Sequence, residues 1–83
     1  MEWKSVESSQ ISEVGYEPES SVLGIRFKPT RKQVEAGETG SEYHYSFVDS
    51  DTHAALLTAE SVGSYFIKNI KSDPVKYPYT KVS

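Results

Sequence analysis

One alternating segment constrains the fold of this chain more than any other feature. Across residues 22–28, large apolar side chains alternate with polar ones or glycine, in the order Leu23, Gly24, Ile25, Arg26, Phe27 and Lys28. A period of two is typical of an antiparallel strand with one apolar and one polar face. The apolar face has to be covered by another element to leave water. The segment therefore predicts a sheet with a covering layer on one side.

Two further segments, residues 10–16 and 42–48, are predicted to be strands. In the first, a change of apolar spacing indicates a bulge near residues 12–13. In the second, one face is predicted to be aromatic and to consist of Tyr43, Tyr45 and Phe47. Residues 30–41 are polar and longer than the usual hairpin loop, so we expect a mobile connection there.

Helices are predicted to follow the strands. Residues 49–52 form a cluster of N-cap residues before a helix over residues 53–60. In a second helix over residues 62–71, Val62, Phe66 and Ile70 recur every four residues on one side. We expect an α+β fold, a three-stranded antiparallel sheet with two C-terminal helices packed on one face, in a single domain spanning residues 1–83. The tail is expected to pack across the helices.

The formal net charge of −3 hides an uneven distribution. Residues 25–34 contain four basic and no acidic residues, whereas residues 35–63 contain six acidic residues and neither Lys nor Arg. Net acidity argues against coating nucleic acid by bulk electrostatics. The basic block can still form a local patch for an anionic partner, or it is an ordinary solvated surface, which is the interpretation we favour.

The chain contains none of the sequence motifs that signal common enzymes. There is no cysteine, which excludes thiol catalysis and thiolate zinc sites. Neither a G-x-S-x-G elbow, a phosphate-binding glycine loop nor an H-E-x-x-H motif occurs. We therefore expect a non-enzymatic protein without cofactor, metal or small-molecule substrate. With no leader-like or membrane-spanning segment, a cytoplasmic location without membrane contact is expected.

Four sets of residues resemble, in order, the KTSC domain. They are an opening segment, a Y-x-Y motif, a helical L-x-x-A-x-S-x-G run followed by two aromatics and an isoleucine, and a closing Tyr-Pro pair. The matching positions are residues 6–11, residues 14–17, Tyr43-His44-Tyr45, Leu56, Ala59, Ser61, Gly63, Tyr65, Phe66, Ile70 and Tyr77-Pro78. Departures from the family pattern are the long connection, Asp49 in place of a proline and Ile67 in place of an asparagine.

The resemblance implies a small module of unknown activity. The family occurs fused to some bacterial lysyl-tRNA synthetases and as free-standing bacterial and phage-type proteins, from which RNA binding has been conjectured. Two interpretations of the motif residues Tyr43 and Tyr45 stay open. They could stack on RNA bases, or they could point inward to the core beside Phe27, which we favour.

If the tyrosines point inward, the outer sheet face becomes the candidate RNA-binding surface. The candidate phosphate contacts, for tRNA or single-stranded RNA, are Arg26, Lys28, His44, Arg31 and Lys32. The same cations could simply protect the sheet from edge pairing. The alternative function is a protein-interaction module, for example a phage-type protein acting on a host factor. Its candidate contacts are exposed aromatics, namely Trp3, Tyr77 and Tyr79.

Overall fold

The computed structural model describes residues 1–82 and contains an antiparallel sheet with helices on one side. The strands are β1 (Glu2–Ser5), β2 (Ile11–Glu17), β3 (Val22–Phe27), β4 (Glu42–Tyr45) and β5 (Tyr79–Lys81). They lie side by side in the order β1-β2-β3-β4-β5. The helices are α1 (Arg31–Glu35), α2 (Ser50–Thr58) and α3 (Val62–Phe66), and α3 continues as a π-helical segment (Ile67–Lys71).

The α+β class with an antiparallel sheet is confirmed, but the predicted number of three strands is wrong. The sheet has five strands because a short strand joins each edge, with Trp3 of β1 opposite Gly15 and Tyr79 of β5 opposite Tyr45. The tail was expected to pack across the helices, yet it pairs with β4 instead. Neither edge strand shows apolar alternation over enough residues to be recognised, since β1 has four residues and β5 three.

The three central strands match the predicted ones. The bulge is confirmed as a shift in the β2–β3 register between Ile11 and Glu13. Beyond it, Ile25 lies between Val14 on one side and Tyr43 on the other. This register brings the apolar residues of all three strands to one face, which we call the inner face. The opposite, outer face carries the polar alternates.

The core lies between the inner face and the helices. Val62, Phe66 and Ile70 are buried there, as their spacing predicts, and Leu56 of α2 joins them. The other buried apolar residues are Ile11, Val14, Tyr16, Leu23, Ile25, Tyr45, Val48 and Tyr77. The rings of Phe66 and Tyr45 meet edge to face with centroids 5.1 Å apart, which ties α3 directly to β4.

Side-chain caps begin helices α2 and α3. Asp49 is the N-cap of α2, and its carboxylate accepts a hydrogen bond of 2.8 Å from the Thr52 amide. Hydrogen bonds from the Thr52 side chain and backbone lower the pKa of Asp49. Ser61 caps α3 in the same way, accepting from the Ser64 amide at 3.3 Å. Within residues 1–82, no helix combines the length and apolar character needed to cross a membrane.

The expectation that Phe47 shares the inner face with Tyr43 and Tyr45 is wrong. Strand β4 ends at Tyr45, and Phe47 adopts a left-handed backbone with φ of 61°. This turn breaks the alternation, so that the Phe47 side chain is 73% exposed while Val48 takes the buried position. The Val48 amide donates to the Ser21 carbonyl at 2.9 Å, which holds the turn against the neighbouring β2–β3 hairpin.

The long connection between β3 and β4 contains a helix that was not predicted. Thr30 and Gln33 form a capping box around the first turn of α1, with the Thr30 amide donating to the side-chain oxygen Oε1 of Gln33 at 2.8 Å. Each of the two side chains thus accepts a hydrogen bond from the backbone amide of the other residue at the start of the helix. The connection is therefore partly ordered where a loop was expected.

Candidate functional site

Two of the predicted RNA-binding residues, Arg26 and His44, lie on the outer face of the sheet. Arg26 donates from Nε to Glu42 Oε1 at 2.8 Å and from Nη1 to Glu13 Oε1 at 3.2 Å. His44 Nε2 lies 2.9 Å from the other oxygen of Glu42. The strand register explains these pairs, because Arg26 stands opposite Glu13 on β2 and Glu42 on β4.

These contacts neutralise the Arg26 cation locally. The hydrogen bond to Glu42 is the main reason why the pKa of Arg26 is raised. The hydrogen bond from Arg26 is likewise the main reason why the pKa of Glu42 is lowered. A phosphate approaching Arg26 would have to compete with two carboxylates that already accept from its guanidinium.

Trp3 covers the middle of the outer face. The Arg26 guanidinium carbon lies 3.8 Å from the centroid of the Trp3 ring, a cation–π distance. The ring rests on two strand glycines, since a Cβ added at Gly15 would lie 2.7 Å from Trp3 Cδ2 and one at Gly24 would lie 2.6 Å from Cη2. We call the group of Trp3, Glu13, Arg26, Glu42 and His44 the outer network.

The other three predicted residues, Lys28, Arg31 and Lys32, lie apart from the outer network. All three are exposed, Lys28 just after β3 and the other two on α1. Arg31 forms a long salt bridge of 3.8 Å with Glu35, one turn further along α1, and both side chains are well exposed. An exposed ion pair of this kind contributes little to stability. In the part of the chain that the structure describes, Lys28 and Lys32 form no salt bridge.

A groove of about 760 Å³ opens on the inner side of the sheet, where β4 and β5 meet the π-helical segment. Its functional side chains come from four parts of the chain, and we call it the tyrosine groove. They are Lys28, Tyr43, Tyr45, Ile67, Lys71 and Tyr79. The capping-box residues Thr30 and Gln33 form part of its wall, so α1 with Arg31 and Lys32 stands at its margin.

Aromatic rings form a continuous wall in the groove. The Tyr79 ring lies between the other two tyrosines, with centroids 5.7 Å from Tyr43 and 5.6 Å from Tyr45. Tyr43 in turn packs edge-on against Phe27 at 5.7 Å. Tyr45 is only 3% exposed, Tyr43 is half-buried and Tyr79 is 55% exposed. The motif tyrosines thus contribute to the core and also line the open groove.

The Tyr45 hydroxyl is a polar group at the floor of the groove. Within residues 1–82 the Tyr45 hydroxyl forms no hydrogen bond. Every fully buried side-chain oxygen in that range does have a hydrogen-bond partner, so the Tyr45 hydroxyl is not fully buried and retains solvent access. Burial of the ring, with smaller contributions from Tyr43 and Tyr79, raises the pKa of Tyr45 to about 12. The hydroxyl is therefore neutral at physiological pH and free to donate or accept one hydrogen bond from a ligand.

The charges around the tyrosine groove have one sign. Its lining contains Lys28 and Lys71, and no Asp or Glu occurs among the lining residues within the described range 1–82. Neither lysine forms a salt bridge within that range. The groove therefore offers two uncompensated cations beside an aromatic surface, a combination suited to an anion that carries a planar ring.

Sequence reasoning did not assign Lys71 or Tyr79 to an RNA-binding site. The sequence predicted Tyr79 only as a contact for a protein partner. The signal that could have found them is the Tyr77-Pro78-Tyr79 run. An extended segment that contains aromatic residues is a candidate edge strand, because it can pair with a predicted strand that is rich in tyrosine. Tyr77 itself is buried in the core.

Two further polar residues have structural roles. The Ser8 hydroxyl accepts from the amides of Gln10 and Ile11, both at 3.2 Å, and so pairs backbone groups at the start of β2. His53 stacks on Tyr16 with ring centroids 4.4 Å apart, and burial lowers its pKa with help from Lys4. Residues 1–82 contain no group of three or more His, Cys, Asp or Glu side chains placed to hold a metal ion.

Comparison with known proteins identifies the class to which this fold and groove belong. A family model for the KTSC domain matches residues 7–74, so the chain belongs to the KTSC family. An uncharacterised protein of Stutzerimonas stutzeri (strain A1501) is 30% identical over 78 residues, which cover 94% of this chain and 93% of that protein.

A solved structure is similar over nearly the whole chain. The crystal structure of a KTSC domain protein from Yersinia pestis superimposes with a TM-score of 0.78 at 28% identity, covering 99% of this chain and 97% of the other. The family resemblance inferred from the residues is therefore confirmed. The Y-x-Y motif that carried much of it coincides with the wall of the tyrosine groove.

Proposed function

We propose that this protein is a small RNA-binding module that holds single-stranded RNA along the tyrosine groove and the adjoining helix α1. The observation that carries this proposal is the set of cations at the groove, Lys28 and Lys71, which face no carboxylate in its lining. Arg31 and Lys32 extend the positive charge along α1. Single-stranded RNA is bound in proteins by this combination of a basic channel and aromatic rings.

Among the five residues first selected, the proposal gives the larger part to Lys28, Arg31 and Lys32. Arg26 and His44 are held by Glu13 and Glu42 on the outer face. Contact with phosphate there would require breaking charge-assisted hydrogen bonds. The lysines at the groove have no such competitor, so their counterions can be exchanged for RNA phosphates.

Fluorescence anisotropy with a labelled single-stranded RNA about twelve nucleotides long tests this function. If three phosphates are neutralised, affinity should fall roughly 20-fold between about 50 and about 200 mM salt. The variant Lys28→Ala should weaken binding and reduce this salt dependence. The control Lys68→Ala removes an equivalent charge from the π-helical segment, outside the groove lining, and should change binding less.

Absence of RNA binding at low salt would exclude the proposal, and so would binding that Lys28→Ala and Lys68→Ala weaken equally.

A protein-interaction module is the second candidate function, and it is supported by Phe47. This ring is 73% exposed in a left-handed backbone that bulky residues rarely adopt. A partner protein that is retained after nuclease treatment and lost on Phe47→Ser would favour this second function.

A further inference from the structure

We infer that the tyrosine groove contains a subsite for a single nucleotide, whose base stacks on Tyr79 and Tyr43 and whose phosphate contacts Lys28 and Lys71. The inference deepens the proposed function, and rests on it in taking the ligand to be part of an RNA strand. It adds which part of the groove takes the base, which takes the phosphate and which group contacts the polar edge of the nucleotide. The nucleotide is bound without being converted.

The volume of the groove fits one nucleotide. At about 760 Å³, it lies within the roughly 300–1,000 Å³ that small-molecule sites occupy. A groove of this size holds one base with its sugar and phosphate. The rest of an RNA strand would have to run outside it, past α1.

The stacking surface is supplied by Tyr79. Its ring is 55% exposed, whereas Tyr45 is buried and Tyr43 is half-buried. The Tyr79 ring packs against both of them, at centroid distances of 5.7 Å from Tyr43 and 5.6 Å from Tyr45. An exposed ring that already packs against two others loses little conformational freedom when a base stacks on it.

The Tyr45 hydroxyl supplies a polar contact at the floor of the groove. Tyr45 is only 3% exposed and is one of the residues that line the groove, and within residues 1–82 its hydroxyl forms no hydrogen bond that a ligand would have to break. A purely apolar ligand would leave this hydroxyl unpaired and desolvated, at a cost in affinity. A nucleotide offers it a base edge or a ribose hydroxyl.

The two lysines then select an anion attached to the ring. Lys28 follows β3 and Lys71 ends the π-helical segment, so they reach the groove from different elements. A lysine ammonium acts on phosphate as a point charge with three donors. The lining within residues 1–82 carries no carboxylate, so no acidic lining residue competes with a phosphate for either lysine.

Titration with uridine monophosphate and adenosine monophosphate, followed by the amide NMR spectrum of the full chain, tests the subsite. Both nucleotides should shift the resonances of Tyr43, Tyr79 and Lys71. Uridine without phosphate and inorganic phosphate without base should each bind at least roughly tenfold more weakly, since each lacks half of the contacts. Phenyl phosphate that binds as tightly as the nucleotides would overturn the assignment, because the site would then recognise any aromatic phosphate.

Variants locate the two halves of the ligand. Tyr79→Leu should weaken nucleotide binding roughly fivefold to a hundredfold, the range for loss of one base stack, and Phe47→Leu is its control outside the groove. Lys71→Ala should weaken nucleotide binding while Lys68→Ala does not. Tyr45→Phe keeps the ring and therefore the fold, and it should weaken nucleotide binding. This variant tests the subsite even if Tyr79→Leu releases β5 from the sheet. Equal affinities in all these variants would overturn the subsite.

The subsite and the proposed RNA function fail separately. If RNA binds but the mononucleotides do not, and Tyr79→Leu leaves RNA affinity unchanged, the subsite is wrong and RNA binding stands. If mononucleotides bind in the groove but RNA binds no more tightly than they do, the RNA function is wrong and the subsite stands. Failure of both ligands to bind overturns both.

Discussion

The outer network and the tyrosine groove combine the same kinds of residue in opposite electrostatic settings. Each combines cations with aromatic rings, Arg26 over Trp3 on one face and Lys28 and Lys71 with three tyrosines in the groove lining on the other. On the outer face, Glu13 and Glu42 already accept from the cation. In the groove lining within residues 1–82 no carboxylate does so. A basic residue on this fold is therefore a candidate ligand contact only where its neighbours leave its charge uncompensated.

The difference has a structural cause in the sheet register. Arg26 lies on a central strand, so residues of both neighbouring strands stand opposite it, and both happen to be glutamates. Lys28 lies just after β3, and Lys71 is the last residue of the π-helical segment. Positions at or just beyond the end of an element have fewer fixed neighbours than a residue of a central strand, and binding residues often lie near such positions.

The largest effect is expected from a methyl group placed beneath the Trp3 ring. In Gly24→Ala the new Cβ would lie 2.6 Å from both Trp3 Cη2 and Met1 Sδ, so the ring has to move. Such overpacking costs about 1–3 kcal/mol, and urea unfolding should show a loss of this size. Fluorescence of the single tryptophan should report the displacement.

A double-mutant cycle distinguishes this clash from a general effect on β3. In a Trp3→Leu background, Gly24→Ala should cost less than in the natural chain, because the Trp3 ring is gone and only Met1 Sδ still lies close to the new Cβ. Equal costs in the two backgrounds would show that Trp3 does not pack on the glycines. Nucleotide binding in the groove on the other face should be nearly unaffected while the protein is folded.

How far the sequence predicts this fold depends on element length. Strand β3 was predicted from its alternation, and α3 from the four-residue spacing of Val62, Phe66 and Ile70, because each pattern repeats several times. Strands β1 and β5 have too few residues for a pattern, and their pairing depends on neighbours distant in sequence. Helix α1 was missed although its capping-box pattern, Thr30 followed by Gln33, was readable.

The candidate site was predictable only in part, for a related reason. The cations of the basic block could be identified by residue type, but their pairing follows from strand register, which composition does not specify. Phe47 shows the same limit, since alternation placed it inward and the turn after Tyr45 turns it outward. The open question about Tyr43 and Tyr45 turned out not to be exclusive, because both tyrosines pack on the core and line the groove.

A smaller effect on stability should separate Arg26 from Lys28. Arg26→Ala removes the partner of two carboxylates and the cover over Trp3, so the melting temperature should fall, by less than in Gly24→Ala. Lys28→Ala removes an exposed side chain without a salt bridge in the described residues and should leave stability nearly unchanged, within roughly 0.5 kcal/mol.

The two variants should affect RNA affinity in the reverse order of their effects on stability. Lys28→Ala should reduce affinity more than Arg26→Ala does, once each variant is measured well below its melting temperature. A greater loss of RNA binding with Arg26→Ala would place the anion-binding surface on the outer face after all. Calorimetry and anisotropy on the same three samples, the natural chain and the two variants, make this comparison.

The smallest effects are expected in the pH dependence of stability, where the two sites should respond at opposite ends of the scale. Glu42 has a pKa lowered from 4.5 in the folded chain, so the stability it contributes is present above about pH 4.5 and is lost as the pH falls through its folded value. Tyr45 has a pKa raised from 10.0 to about 12. Stability is therefore retained below pH 10 and lost as the pH rises towards 12, since the unfolded chain releases the phenolic proton first.

Two variants assign these losses to their sites. Urea unfolding should show that the free energies of unfolding of Glu42→Gln and the natural chain converge as the pH falls below 4.5, because the natural carboxylate becomes protonated and neutral as well. Tyr45→Phe should lose less stability than the natural chain between pH 10 and 12. Only the difference in free energy of unfolding between the two proteins counts, because every other change with pH is common to both. If the difference does not change with pH, folding does not raise the pKa of Tyr45, and the partly desolvated position that the subsite assigns to its hydroxyl is wrong.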